Sequence, residues 1–188
     1  MNLRYWDFNR VCLLVIGSIG TILFPPIARA QTVPDRTLGD ESSVVTPQQL
    51  RDLIEGGAIR GENLFHSFSE FSIGEGQQVY FANPDNISNI LTRVTGGNIS
   101  QIDGLIRANG AANLFLINPA GIIFGEGSSL DIGGSFYGGT ADSILFPNGI
   151  EFSASNLNAD PVLTINAPIG FNLREDSGAI INRSVQGR

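Results

Sequence analysis

The sequence predicts an all-β chain whose short strands wind into a parallel β-solenoid, and three observations carry that prediction. The 188 residues include 23 Gly. From Gly61 onward they punctuate the chain at Gly96-Gly97, Asp103-Gly104, Asn109-Gly110, Pro119-Ala120-Gly121, Gly125-Glu126-Gly127, Gly133-Gly134 and Gly138-Gly139, each a place where a tight turn can take positive φ. Between these turns the apolar runs are very short and alternate with a period of two, the signature of strands. The spacing from Ile106 through Leu116 and Ile122 to Leu130 suggests successive sides of one coil. A sandwich of hairpins is the competing arrangement.

Taken in order, residues 1–30 have the features of a secretory signal peptide. Arg4 and Arg10 precede an uncharged run from Val11 to Phe24, followed by Pro25-Pro26 and Ala28-Arg29-Ala30, with cleavage expected before Gln31. The run is shorter than the ~20 residues a spanning helix needs, and two prolines end it, which argues against a retained membrane anchor. Removal leaves 31–188 with 8 Arg against 17 acidic residues, a net charge of −9, and no cysteine, since Cys12 lies in the segment removed.

Residues 31–49 mix prolines, charges and small polar residues without an apolar period and read as a surface leader or edge segment. Thr46-Pro47-Gln48-Gln49, then Leu50, Leu53, Ile54 and Gly56-Gly57, have the local marks of a short capped helix with a glycine stop. Strand patterning follows. Leu64, His66 and Phe68 fall on one face and Phe65 and Ser67 on the other; Val79 and Phe81 flank Tyr80; Ile106 and Ala108 flank Arg107; Leu130 and Ile132 flank Asp131. In Leu114–Ile117 every residue is apolar, so the inward face is not decided by pattern. Phe115, Ile117, Ile122, Phe124, Leu130 and Ile132 are expected to supply much of one core layer, and an inward Asn118 would be a buried amide needing partners.

The phrase Asn113-Leu-Phe-Leu-Ile-Asn-Pro-Ala-Gly-Ile-Ile-Phe-Gly125 resembles the signature of the filamentous-haemagglutinin N-terminal domain, the secretion domain of two-partner-secretion exoproteins, in wording similar to cyanobacterial members. Four further phrases agree in order and spacing: Asn63–Phe68, Ile90–Gly97, Ile102–Ile106 and Leu130–Phe136. The resemblance covers roughly residues 34 to 184. Ala120 replaces the second Asn of the family's usual Asn-Pro-Asn-Gly, and Asn83-Pro-Asp-Asn86 stands as the counterpart of a second motif, Asn-Pro-Asn-Leu.

The resemblance implies a right-handed parallel β-helix with small extra-helical β-strands over 31–188, and strand rather than helix for Thr46–Glu55. It also implies export through a cognate outer-membrane barrel transporter with periplasmic receptor domains. The transporter-recognition or fold-nucleating residues it singles out are Asn118, Pro119 and Gly121, with Asn63, Asn83 and Pro84 from the accompanying motifs. Ile180-Ile-Asn-Arg-Ser184 reads like continuation into further rungs, so the expectation is the N-terminal part of a longer exoprotein, or a shortened gene copy, secreted or at the cell surface.

Other chemistries fit less well. All 11 cationic residues are Arg, charged residues make up 15% of the chain and the net charge is −7, which argues against nucleic-acid binding. A P-loop needs a Lys the chain lacks, and zinc has one His and no mature Cys to use. No calcium-loop pattern occurs. No cofactor and no metal are expected. His66 is the only imidazole, with Ser67 on the opposite strand face, so no Ser-His-acid set is assigned. Asp103, Glu126, Asp131 and Asp142 are candidates by type for a β-helical polysaccharide hydrolase or lyase; as turn and surface acids they have a simpler reading. The alternative to a non-enzymatic secretion module is a self-standing adhesin that binds surface glycans through exposed Asn, Ser and Tyr137.

Overall fold

The computed structural model describes residues 31–157 and 163–185; segment 1–30, expected to be a signal peptide, lies outside them. Four short strands come first: β1 (Thr32–Pro34), β2 (Ser43–Gln48), β3 (Arg51–Gly56) and β4 (Ala58–Arg60). The coil follows as β5 (Asn63–Phe71), β6 (Gln78–Phe81), β7 (Asn89–Val94), β8 (Ser100–Ile102), β9 (Leu105–Ala108), β10 (Asn113–Ile117), β11 (Ile122–Phe124), β12 (Ser129–Asp131) and β13 (Phe136–Gly139). The last strands are β14 (Ser143–Leu145), β15 (Glu151–Ser153), β16 (Gly170–Asn172) and β17 (Ile180–Asn182).

The coil is a parallel β-helix of about three turns. Its first wall stacks β5, β7, β10 and β13 in parallel. The second stacks β8, β11 and β17, with the Ile73–Ile102 bridge extending it by one rung. The third stacks β3, β6, β9 and β12. Asn63 aligns with Asn89 and Asn89 with Asn113, so a rung takes 26 and then 24 residues. Such rungs bury little alone and depend on their neighbours.

The lumen is filled by the inward residues of all three walls, among them Leu64, Phe68, Ile90, Val94, Leu114, Leu116, Ile102, Ile122, Val79, Phe81 and Ile106. Each such side chain contributes about 1.5–3 kcal/mol by leaving water. A second apolar cluster lies outside the first wall: Phe65, Leu91, Phe115 and Ile117 face Ile144, Phe146, Phe152 and Ala154 of a small antiparallel layer made by β14, β15 and β16. This double burial is why Leu114–Ile117 is apolar throughout. It also corrects the expected core, because Phe115 and Ile117 belong to the outer cluster and Leu114 and Leu116 to the lumen. Leu130 is on the last rung and stays 49% exposed.

The helix marks at Thr46–Ile54 are overridden. β2 and β3 form an antiparallel hairpin from Ser43 opposite Gly56 to Gln48 opposite Arg51, because β3 can pair in parallel with β6 and place Ile54 in the lumen. The surface leader 31–49 is also built in, since its β1 runs antiparallel to one end of β5, and β4 runs antiparallel to the other end.

Candidate functional site

The corner after β10 is built by the sequence Asn118-Pro119-Ala120-Gly121. Asn118 Oδ1 accepts from the Ala120 amide at 3.0 Å, and the Gly121 amide donates to the Asn118 carbonyl at 3.0 Å, so the side chain shapes its own turn in the manner typical of Asn. Its Nδ2 reaches down one rung, donating to the Asn98 carbonyl and Ser100 Oγ, each at 2.9 Å. Asn118 is 0% exposed, and these are the partners that an inward amide there requires. Gly121 has φ of 129°, and a Cβ on it would stand 3.1 Å from the Ala179 carbonyl oxygen. The Pro119 carbonyl accepts from the Gly178 amide at 2.8 Å, which ties the corner to the segment leading into β17.

Asn63 opens a ladder along the first wall. Asn89 Nδ2 donates to Asn63 Oδ1 at 3.0 Å and Asn113 Nδ2 to Asn89 Oδ1 at 3.1 Å. The ends are closed by Asn63 Nδ2 on the Thr164 and Asn166 carbonyls and by the Ser135 amide on Asn113 Oδ1. Asn83 makes a similar clip at another corner: its Oδ1 accepts from the Asn109 amide at 2.9 Å and its Nδ2 donates to the Asn109 carbonyl at 3.1 Å. Pro84 beside it is exposed.

The six sequence-predicted residues therefore do not form one surface. Asn113 and Asn118 stand at opposite ends of β10, about 16 Å apart at the usual rise per residue, and Asn83 belongs to the corner between the third and first walls. Asn63, Asn83 and Asn118 are all buried and spend their amides on holding one rung to the next. The sequence carried a signal for the ladder that pattern reading passed over: Asn63-Leu-Phe, Asn89-Ile-Leu and Asn113-Leu-Phe repeat at the rung period.

His66 is 1% exposed in the lumen, beside the rings of Phe68 and Phe81. Its Nδ1 is 2.9 Å from Ser43 Oγ, and that oxygen also accepts the Ser67 amide. Burial pushes the imidazole down to about 3. A neutral ring sealed in the lumen has no access to substrate. Three of the four carboxylates considered for polysaccharide cleavage are engaged at separate places: Asp103 accepts from the Gly127 amide of the next rung, Asp131 pairs with Arg107 at 3.1 Å, and Asp142 meets Arg174 and Ser155 beside the outer layer.

One cluster was not anticipated at all. Arg93 faces outward from β7, between Ser67 and Ile117 in register, yet is only 2% exposed. Its Nε donates to Ser67 Oγ at 2.8 Å, one terminal nitrogen donates to Thr37 Oγ1 at 2.8 Å and the other to the Ser153 carbonyl. Its Cζ lies 4.4 Å from the Phe152 ring centre, a cation–π distance. Ser67 in turn donates to Asp35 at 2.8 Å, as does Thr95 at 2.7 Å. Burial raises the Asp35 carboxyl, but the hydrogen bonds from Thr37, Thr95 and Ser67 outweigh it and hold the group below its ordinary value. Burial also pushes the Arg93 guanidinium down to about 10, against the opposing pull of Asp35.

Together, the three-walled parallel coil, its antiparallel entry strands and its outer layer define the class as a parallel β-helix module held by rung-to-rung asparagine clips. The fold is similar to that in the crystal structure of the HMW1 secretion domain from Haemophilus influenzae, with a TM-score of 0.56 and 24% sequence identity over 82% of this chain and 36% of that one. The sequence profile of the TPS secretion domain matches residues 30–187, and the chain belongs to that family. Two heme/hemopexin-binding proteins of Haemophilus influenzae are similar over a shorter stretch, one 44% identical over 66 residues and the other 37% over 67. Those stretches are 35% and 36% of this chain and 7% of each relative.

Proposed function

We propose that this domain directs the export of a longer exoprotein: it is delivered by the signal peptide of residues 1–30, recognised by the periplasmic receptor domains of an outer-membrane barrel transporter, and wound into its β-helix at the cell surface. The observation that carries the reading is the profile match over residues 30–187. Physical features support it. No residue of 31–188 is a cysteine, so no disulfide loop forms to obstruct a narrow pore. Asn63, Asn83 and Asn118 are buried in the wound coil and can meet a receptor only while the segment is extended, the state in which a chain adds to a sheet edge. A folded domain worth roughly 5–15 kcal/mol then disfavours return.

The test is to fuse a cysteine-free reporter after Arg188 and express it with and without a two-partner transporter of the same organism. Release that needs the transporter supports the reading; equal release without it, or periplasmic retention in both cases, overturns it. Replacing Asn118 with Ala separates the two roles of the corner. Export lost while purified protein still refolds makes Asn118 a recognition residue, and normal export with slowed refolding makes it a folding residue.

A further inference from the structure

The buried Arg93 is tied to three parts of the chain that are far apart in sequence. From the leader come Thr37 and, through the Ser67 and Thr37 hydroxyls, the carboxylate of Asp35. From the coil come Ser67 and the Arg93 backbone itself. From the outer layer come the Ser153 carbonyl and the Phe152 ring. A part that docks alone takes water from the guanidinium while leaving some of its donors without their partners, and that is costly. A buried cation shared in this way links the stability of its contributors, since such networks are worth more than their separate pairs.

We infer that Arg93 is a conformational latch that makes docking of the leader and docking of the β14–β16 layer one cooperative event. Neither docks stably without the other. The timing this gives rests on the proposed export reading: residues 152 and 153 emerge some 60 residues after Arg93, so the first wall stays open on its outer face until the outer layer arrives. An Arg suits this role because it stays charged and demands partners across its whole fork, and a buried charge of this kind specifies an arrangement more than it adds stability.

The experiment uses purified, folded mature chain and involves no export, so its failure and the failure of the export reading are distinguishable. Asp35→Asn and Phe152→Leu alter opposite ends of the network at residues that share no hydrogen bond. Independent sites multiply their effects on the unfolding constant. The expected result is a double variant whose unfolding constant falls at least fivefold short of the product of the single changes, with the shortfall gone when Arg93 is replaced by Met. Simple multiplication within twofold, or a shortfall that persists unchanged in the Arg93→Met background, overturns the inference. A second readout needs only one variant. Asp35→Asn alone should speed amide hydrogen exchange in β14 and β15 at least tenfold, and acceleration confined to the leader and β5 refutes the latch.

Discussion

Lowering the pH from 7 to 5 should destabilise this domain mainly through one side chain. The His66 imidazole ordinarily takes a proton near 6.5, and burial in the lumen lowers that to about 3. The unfolded chain therefore binds a proton over a range where the folded chain does not, and stability that is whole above 6.5 is lost as pH falls toward 3. For these two values the loss at pH 5 is about 2 kcal/mol by linkage. Asp35, whose carboxyl lies below its ordinary value of 3.8, contributes a loss only at still lower pH, so the window from 6.5 to 5 isolates the histidine. The assay is urea denaturation at pH 7 and pH 5 of the native chain and of His66→Asn, whose side-chain amide can hydrogen-bond Ser43 Oγ in either direction. The variant will be less stable at both pH values because of the smaller side chain, but its loss between them should shrink to a few tenths of a kcal/mol. An unchanged pH dependence in the variant refutes the assignment.

The ladder predicts that Asn89→Ala costs about 1–3 kcal/mol in denaturant titration, because Asn63 Oδ1 and Asn113 Nδ2 lose their partner together. Gly104→Ala should cost about 1–3 kcal/mol or prevent folding, since a Cβ there would lie 2.3 Å from the Gln77 carbonyl oxygen of the rung before; circular dichroism melting measures it. Phe152→Ala, which removes a buried ring 5.1 Å from Phe65, should cost about 3–5 kcal/mol in the same melt.

The strands of the coil were legible because they bury one face and alternate, as at Val79-Tyr80-Phe81 and Ile106-Arg107-Ala108. Leu114–Ile117 was not, since two layers cover it and both faces are apolar. The helix marks at Thr46–Ile54 were genuine local preferences that lost to pairing with β6. Of the candidate site, the Asn118 corner was readable from its turn chemistry, and the need for partners on a buried amide came with it. The Arg93 cluster was invisible for the opposite reason. Asp35, Thr37, Ser67 and Ser153 are individually ordinary polar residues spread over more than a hundred positions, and only the wound coil places them around one guanidinium.

The edge of β5 is covered along most of its length, by β4 over Asn63–Phe65 and by β1 with the Asp35 amide over Ser67–Phe71, while β2 covers the edge of β3. Open strand edges are where chains zip together. With these edges occupied, the first and third walls present no free strand at this end for another chain to pair with, and growth of the coil by strand addition is directed toward its other end.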